Sequence, residues 1–211
     1  MDLVEAKLAF FGNRPTDRMS HGLWLGSWAR FVVGNRLAPY VPTPHDVAPH
    51  LLKLAALRPG EVLVDLGCGD GRLLHAAVHR FGAARATGFE LDPALARQAR
   101  ELGGEDGRIE VLRADALSST AADALSGADV VALYLSDRGN ASLLPVLRER
   151  LRPSARVVSY VWEMPEGTSP SKTVLMNGSG APMHLYEGLG TAGAETAQRP
   201  RCYRSRTGTD P

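Results

Sequence analysis

Between positions 62 and 161, short apolar runs alternate with segments whose apolar residues recur every three or four positions. Val62, Leu63, Val64 and Leu66 make a compact β-type run. Leu73, Leu74, Ala77 and Val78 then fall on one face of a helix spanning about 72–81. The same reading gives strands at 86–90, 109–112, 129–135 and 155–161. Helices intervene from Asp92-Pro93 to about 102, at 121–125 and at 141–151. Strand and helix in alternation predict a parallel sheet covered on both faces by helices. After position 161 the rhythm changes. Two β-type runs at 173–176 and 183–186 are separated by Asn177-Gly178-Ser179-Gly180, a turn sequence that predicts a terminal antiparallel hairpin.

Ahead of this region, Leu3, Val4, Leu8 and Phe11 suggest a short amphipathic helix, broken near Gly12-Asn13 and Pro15. Trp24, Trp28, Phe31 and Val32 follow at i, i+4, i+7 and i+8, a helical stripe. Such a stripe packs on the main domain, or serves as a lid or a weak membrane-surface contact with Arg30 and Arg36 on the wet side. Pro39, Pro42 and Pro44 then hold the chain extended. Thr43 is a suitable N-cap with Pro44 in the first turn, so a helix is expected from there through Ala55, ending before Pro59-Gly60. Residues 191–211 are poor in apolar groups and read as a disordered tail. The expected organisation is a helical extension at 1–39, one domain at 40–190 and a tail at 191–211.

Composition narrows the picture modestly. A chain of 211 residues with 44% hydrophobic and 22% charged residues suits one globular domain. A formal net charge of +1 does not suggest a nucleic-acid binder. Cys68 and Cys202 form no C-x-x-C pair, and His75 and His79 sit within a helix, so no metal site is expected. No apolar run reaches the roughly 20 residues that span a bilayer. Asp2, Glu5 and Asp17 do not fit a secretory leader. A cytoplasmic location is expected, with a mitochondrial one as the alternative.

The candidate chemistry sits at the end of the first strand, where the chain reads Asp65-Leu66-Gly67-Cys68-Gly69-Asp70-Gly71-Arg72. Strand, glycine loop and helix N-terminus make a nucleotide-binding corner. A dinucleotide fingerprint, G-x-G-x-x-G, would need glycine where Arg72 stands. The run instead resembles motif I of the class I S-adenosylmethionine-dependent methyltransferases. That resemblance implies an α/β fold: a Rossmann-like, doubly wound, mostly parallel seven-stranded sheet with a C-terminal antiparallel hairpin. It also gives the strand-end acids expected roles. Glu90, 21 residues after Gly69, suits the ribose hydroxyls, and Asp115 suits the adenine amino group. Asp65 and Asp70 suit the methionine ammonium and the sulfonium. Gly67, Cys68, Gly69, Leu91 and Thr43 complete the expected cofactor set. Each acid taken alone is equally a strand-end or helix-capping residue.

A narrower resemblance rests on the segments 40–44, 65–72 and 88–93, on Asp115 and on the strand at 129–135. These look like the family that contains the ATP synthase c-subunit and adenine nucleotide translocase lysine methyltransferases. The family's members commonly carry a proline-containing turn after the fourth strand, where this chain has Ser136-Asp137-Arg138. The resemblance implies methylation of a lysine in a protein substrate. A small-molecule acceptor, or a non-catalytic subunit that binds the cofactor, is the alternative. Tyr134, Asp137 and Tyr40 are the candidate catalytic residues, with Trp162 and Glu163 as further candidates to line the acceptor pocket. Tyr134 also suits the core, and Asp137 also suits a helix cap.

Overall fold

Residues 37–192, apart from Pro39, Pro42, His45 and Gly178, are described by a computed structural model. The N-terminal amphipathic segment, the tryptophan stripe and positions 193–211 lie outside the described residues. The alternating runs become the strands β1 (Val62–Leu66), β2 (Arg85–Phe89), β3 (Ile109–Leu112), β4 (Val130–Leu133) and β5 (Arg156–Tyr160). The terminal pair is β6 (Lys172–Leu175) and β7 (Pro182–Glu187). Five helices accompany them among the described residues: α1 (Val47–Leu54), α2 (Arg72–Phe81), α3 (Pro93–Gly103), α4 (Ser119–Leu125) and α5 (Asp137–Arg150).

The strands form one seven-stranded sheet in the order β3-β2-β1-β4-β5-β7-β6. β1 to β5 are parallel, and β7 runs antiparallel between β5 and β6. Side chains alternate across the sheet as strand geometry requires. Leu63, Val130 and Val158 join one buried cluster with α1, α2 and α3. Val64, Val131 and Val157 join the opposite cluster with α4 and α5. Each fully buried Leu or Val stabilises the fold by about 1.5–3 kcal/mol, so the two-sided burial of these runs is the main force setting their register. Connections run outward from β1 to β2 and β3, then cross to β4. That reversal opens a crevice at the carboxyl ends of β1 and β4.

Most element ends shift by one or two residues from the sequence reading, β4 stops at Leu133 and not at 135, and two helix starts differ further. α1 starts at Val47, with Asp46 as a helical N-cap that makes no side-chain capping bond, and not near Thr43. The carbonyl of Thr43 instead accepts from Arg72 Nη1 at 2.5 Å, which holds that stretch against the glycine loop. α5 begins at Asp137, four positions before the apolar periodicity predicts. Ser136 caps it, Oγ accepting from Gly139 N at 3.1 Å. Gly139 and Asn140 are weak helix formers, which masks the first turn in sequence. Glycine is required there, because a Cβ on Gly139 would lie 2.8 Å from the Leu37 carbonyl oxygen. Thr191 and Ala192, placed in the tail by composition, donate backbone hydrogen bonds to the carbonyls of Arg148 and Leu151 at the end of α5. No helix among the described residues is long and apolar enough to cross a membrane.

Candidate functional site

At the crevice, β1 ends in the glycine loop. Gly67 N and Cys68 N donate to the Phe89 carbonyl at 2.8 and 3.1 Å, tying the loop to the end of β2. Gly69 and Gly71 have φ of +56° and +84°, the left-handed region that disfavours side chains. A Cβ on Gly71 would lie 3.0 Å from Ala99 Cα, so its absence also lets α2 approach α3. A Cβ on Gly69 would lie 3.0 Å from the ring of Tyr40, which rests on the loop.

Glu90 is buried just past β2. Its Oε2 accepts from Gly69 N at 3.0 Å and its Oε1 from Asp92 N at 2.7 Å. Asp92 in turn caps α3, Oδ1 accepting from Ala94 N at 2.9 Å. Asp65 is 6% exposed at the end of β1. Burial, reinforced by the negative charges of Glu90 and Asp70, pushes its carboxyl up to about 8. Burial also raises the Cys68 thiol well above its ordinary range, with Asp65 and Glu90 adding to the effect. Asp70 has a different fate. Arg72 Nε lies 2.9 and 3.1 Å from its two carboxylate oxygens, and Nη2 makes a further close contact. The Tyr40 hydroxyl reaches the same carboxylate at 3.5 Å, and burial raises the Tyr40 phenol. Asp70 is therefore already paired with a cation. Asp65 forms no ion pair among the described residues.

These groups line one cleft of about 420 Å³, a size suited to a cofactor with part of a substrate. All nine expected cofactor residues are on its walls: Thr43, Asp65, Gly67, Cys68, Gly69, Asp70, Glu90, Leu91 and Asp115. Asp115 is exposed, with Oδ1 accepting from Leu117 N at 2.9 Å. Tyr40 and Tyr134 are also in the lining. Tyr134 meets Tyr160 edge to face, ring centroids 4.8 Å apart, so it both packs on the core and borders the cleft.

Asp137, Trp162 and Glu163 do not join that lining. They border a second, more open depression of about 780 Å³. Asp137 is the first residue of α5, its Oδ1 accepting from Arg138 N at 2.7 Å, while the cap itself is Ser136.

The sequence reading gave no site role to Leu37, Ala38, Arg72, Arg138 or Ser142, all of which line the first cleft. The signal for Arg72 was its two-residue spacing from Asp70. Leu37 had none, because its carbonyl is held by Ser136 Oγ, 99 residues away in the chain.

The donor set suits a ligand with ribose hydroxyls and a positively charged amino-acid end. Glu90 is a fixed hydroxyl acceptor, Asp65 is a buried carboxyl with no ion pair among the described residues, and a glycine-rich loop passes between them. Comparisons with known proteins agree. The ANTKMT methyltransferase domain is matched over residues 65–171. A protein-lysine N-methyltransferase from Saccharolobus islandicus (strain REY15A) is 33% identical over 139 residues, covering 64% of this chain and 83% of that protein. The adenine nucleotide translocase lysine N-methyltransferase of Mus musculus is 45% identical over 62 residues, covering 29% of this chain and 26% of that protein. Among solved structures, an RNA methyltransferase from Salinibacter ruber, in complex with S-adenosyl-L-homocysteine, is 37% identical with a TM-score of 0.63. That similarity covers 70% of this chain and 94% of the other. The chain belongs to the ANTKMT methyltransferase family and is a class I methyltransferase that uses S-adenosylmethionine.

Proposed function

We propose that this enzyme methylates the side-chain amine of a lysine in a protein substrate. The observation that carries the reading is kinship: the archaeal relative matched over 83% of its own length is named a protein-lysine N-methyltransferase. The cleft supports it, because acidic groups at the ends of β1 and β2 share one cavity with the phenol rings of Tyr40 and Tyr134.

In this reading, Glu90 and Asp115 accept hydrogen bonds from the nucleoside end of the cofactor, and ionised Asp65 faces its amino-acid end. When bound, S-adenosylmethionine supplies an electrophilic methyl group on a sulfonium. To take that methyl group, the acceptor amine would need its nitrogen lone pair free of a proton. At pH 7 a lysine with pKa near 10.4 gives up that proton at a cost of about 4–5 kcal/mol. Tyr40 and Tyr134, both on the cleft wall, would partly desolvate the amine, which lowers its pKa and reduces that cost. The remaining work is alignment, worth effective molarities of roughly 10⁵–10⁸ M.

A second reading, methylation of RNA, is favoured by the similarity to the Salinibacter ruber protein. One experiment separates them. Purified enzyme is incubated with methyl-labelled S-adenosylmethionine and a lysate of the source organism, and the protein, RNA and small-molecule fractions are counted. Label in a discrete protein band, on lysine by mass spectrometry and lost with Asp65→Asn, supports the proposal. Label confined to RNA establishes the second reading, and label confined to small molecules overturns both.

A further inference from the structure

β5 does not end in an ordinary turn. Val161 has φ of +68°, rare for any residue with a Cβ and more so for a β-branched one. Trp162 N donates to the Tyr160 carbonyl at 2.9 Å, closing a γ-turn around Val161. Val161 N donates to the Pro182 carbonyl at 2.8 Å, which pins the turn to β7. The two residues that follow are clamped from below. Fully buried Asn140 donates through Nδ2 to the carbonyls of Trp162 and Glu163 at 3.0 and 3.2 Å. Fully buried Ser159 donates to the Trp162 carbonyl at 2.6 Å. A strained turn persists only where its surroundings over-determine it, and such turns cluster at binding sites.

The turn and its clamp fix Trp162 and Glu163 on the wall of the second depression. Val161, Met164, Pro165, Leu175 and Pro182 supply apolar wall, and Leu175 is 62% exposed. The titratable groups facing this space are Asp137, Glu163, Arg138 and His184. His184 is 2% exposed, and burial lowers its imidazole pKa, against a smaller opposite pull from Glu163 and the Val161 backbone. Its Nδ1 lies 3.0 Å from Thr173 Oγ1 and 3.7 Å from Glu163 Oε1, so the imidazole braces the Glu163 side chain. With His184 neutral, two carboxylates face one guanidinium among the described residues. Arg138 also lines the cofactor cleft, so the two spaces share a wall.

We propose that this depression is the docking groove for the segment of the protein substrate flanking the methylated lysine, and that it selects a segment carrying arginine or lysine. The groove combines apolar wall, an indole and a net negative charge, and it adjoins the cleft where the amine is received. Glu163, with its side chain 61% exposed, is the specificity-determining contact. This inference rests on the protein-lysine reading.

The test uses short Gly/Ser peptides carrying one lysine flanked by arginine, alanine or glutamate, with transfer from labelled S-adenosylmethionine measured across peptide concentrations. Wild-type enzyme should show the lowest KM with arginine flanks and the highest with glutamate flanks, differing by roughly fivefold for one exposed ion pair. Glu163→Gln should flatten the ranking, and Glu163→Lys should reverse it in favour of glutamate flanks. Circular dichroism of both variants checks that the fold is kept, and a merely structural role for Glu163 would not reverse a charge preference. An unchanged ranking in Glu163→Lys overturns the docking groove and leaves the lysine reading intact. No label in any peptide or protein, with S-adenosylhomocysteine still binding by calorimetry, overturns the lysine reading and this inference together.

Discussion

Glu90 links the glycine loop to α3 before any ligand arrives, since its two oxygens hold Gly69 N and Asp92 N. Glu90→Ala should therefore do two things. It should bring S-adenosylhomocysteine binding below detection by calorimetry, and it should destabilise the fold by leaving two buried N–H groups unpaired, about 1–3 kcal/mol each. Glu90→Gln keeps one oxygen acceptor and should lose less of both; equal losses in the two variants would assign the residue to structure alone. Asp65 makes a separate prediction. Its carboxyl is protonated in the ligand-free protein over most of the neutral range, pushed up to about 8 by burial and by Glu90 and Asp70. Binding of a cationic amino-acid end should favour the ionised form and release a proton. Calorimetry in buffers of different ionisation enthalpy should detect that proton, and Asp65→Asn should abolish it. Both acids were legible in the sequence because they stand at strand ends at set spacings from the glycines. The tie from Arg72 to Thr43 was not, because nothing local records a contact across 29 residues.

At the scale of elements, punctuation decided what could be read. α2 has its expected ends because left-handed Gly71 and Gly82 bound it. β1 and β3 match because their apolar runs stop at turn residues. The start of α5 escaped, since Gly139 answers to Leu37 and Asn140 to the end of β5, both distant in sequence. For the same reason the second depression could not be separated from the first: Asp137 and Tyr134 are three residues apart, yet the turn after β4 and the start of α5 send them to different cavities. Asn140 is the testable link. Its amide serves Ser159 Oγ and the Trp162 and Glu163 carbonyls. Asn140→Ala should cost about 2–3 kcal/mol from lost hydrogen bonds and the void left behind. That corresponds to a fall in Tm of roughly 4–12 °C for a domain of this size. Urea unfolding and thermal melts check both figures, and a loss below about 0.5 kcal/mol would mean the turn after β5 holds itself.

Across the whole molecule, the strand-order reversal gathers Asp65, Asp70 and Glu90 at one end of the sheet, and Asp70 is paired there with Arg72. Stability and binding should then respond to pH in opposite directions. The Asp65 carboxyl rises on folding from an ordinary value of 3.8 to about 8, so the folded chain keeps a proton that the unfolded chain gives up. The stabilisation this represents is complete below the ordinary carboxylate range and is lost as pH rises toward about 8. Melting of the ligand-free enzyme should fall over that window, other groups being equal. S-adenosylhomocysteine should restore more as pH rises, because it meets a carboxylate already ionised. At a ligand concentration about 100 times Kd the gain is about 2.7 kcal/mol, or roughly 5–11 °C in Tm. At fixed ligand concentration the gap between bound and free melting temperatures should therefore widen between about pH 6 and about pH 8. Asp65→Asn removes the titrating proton and should make that gap constant. A gap that narrows with pH in the wild type would place the binding charge on a group other than Asp65 and leave the acid's burial a feature of the fold.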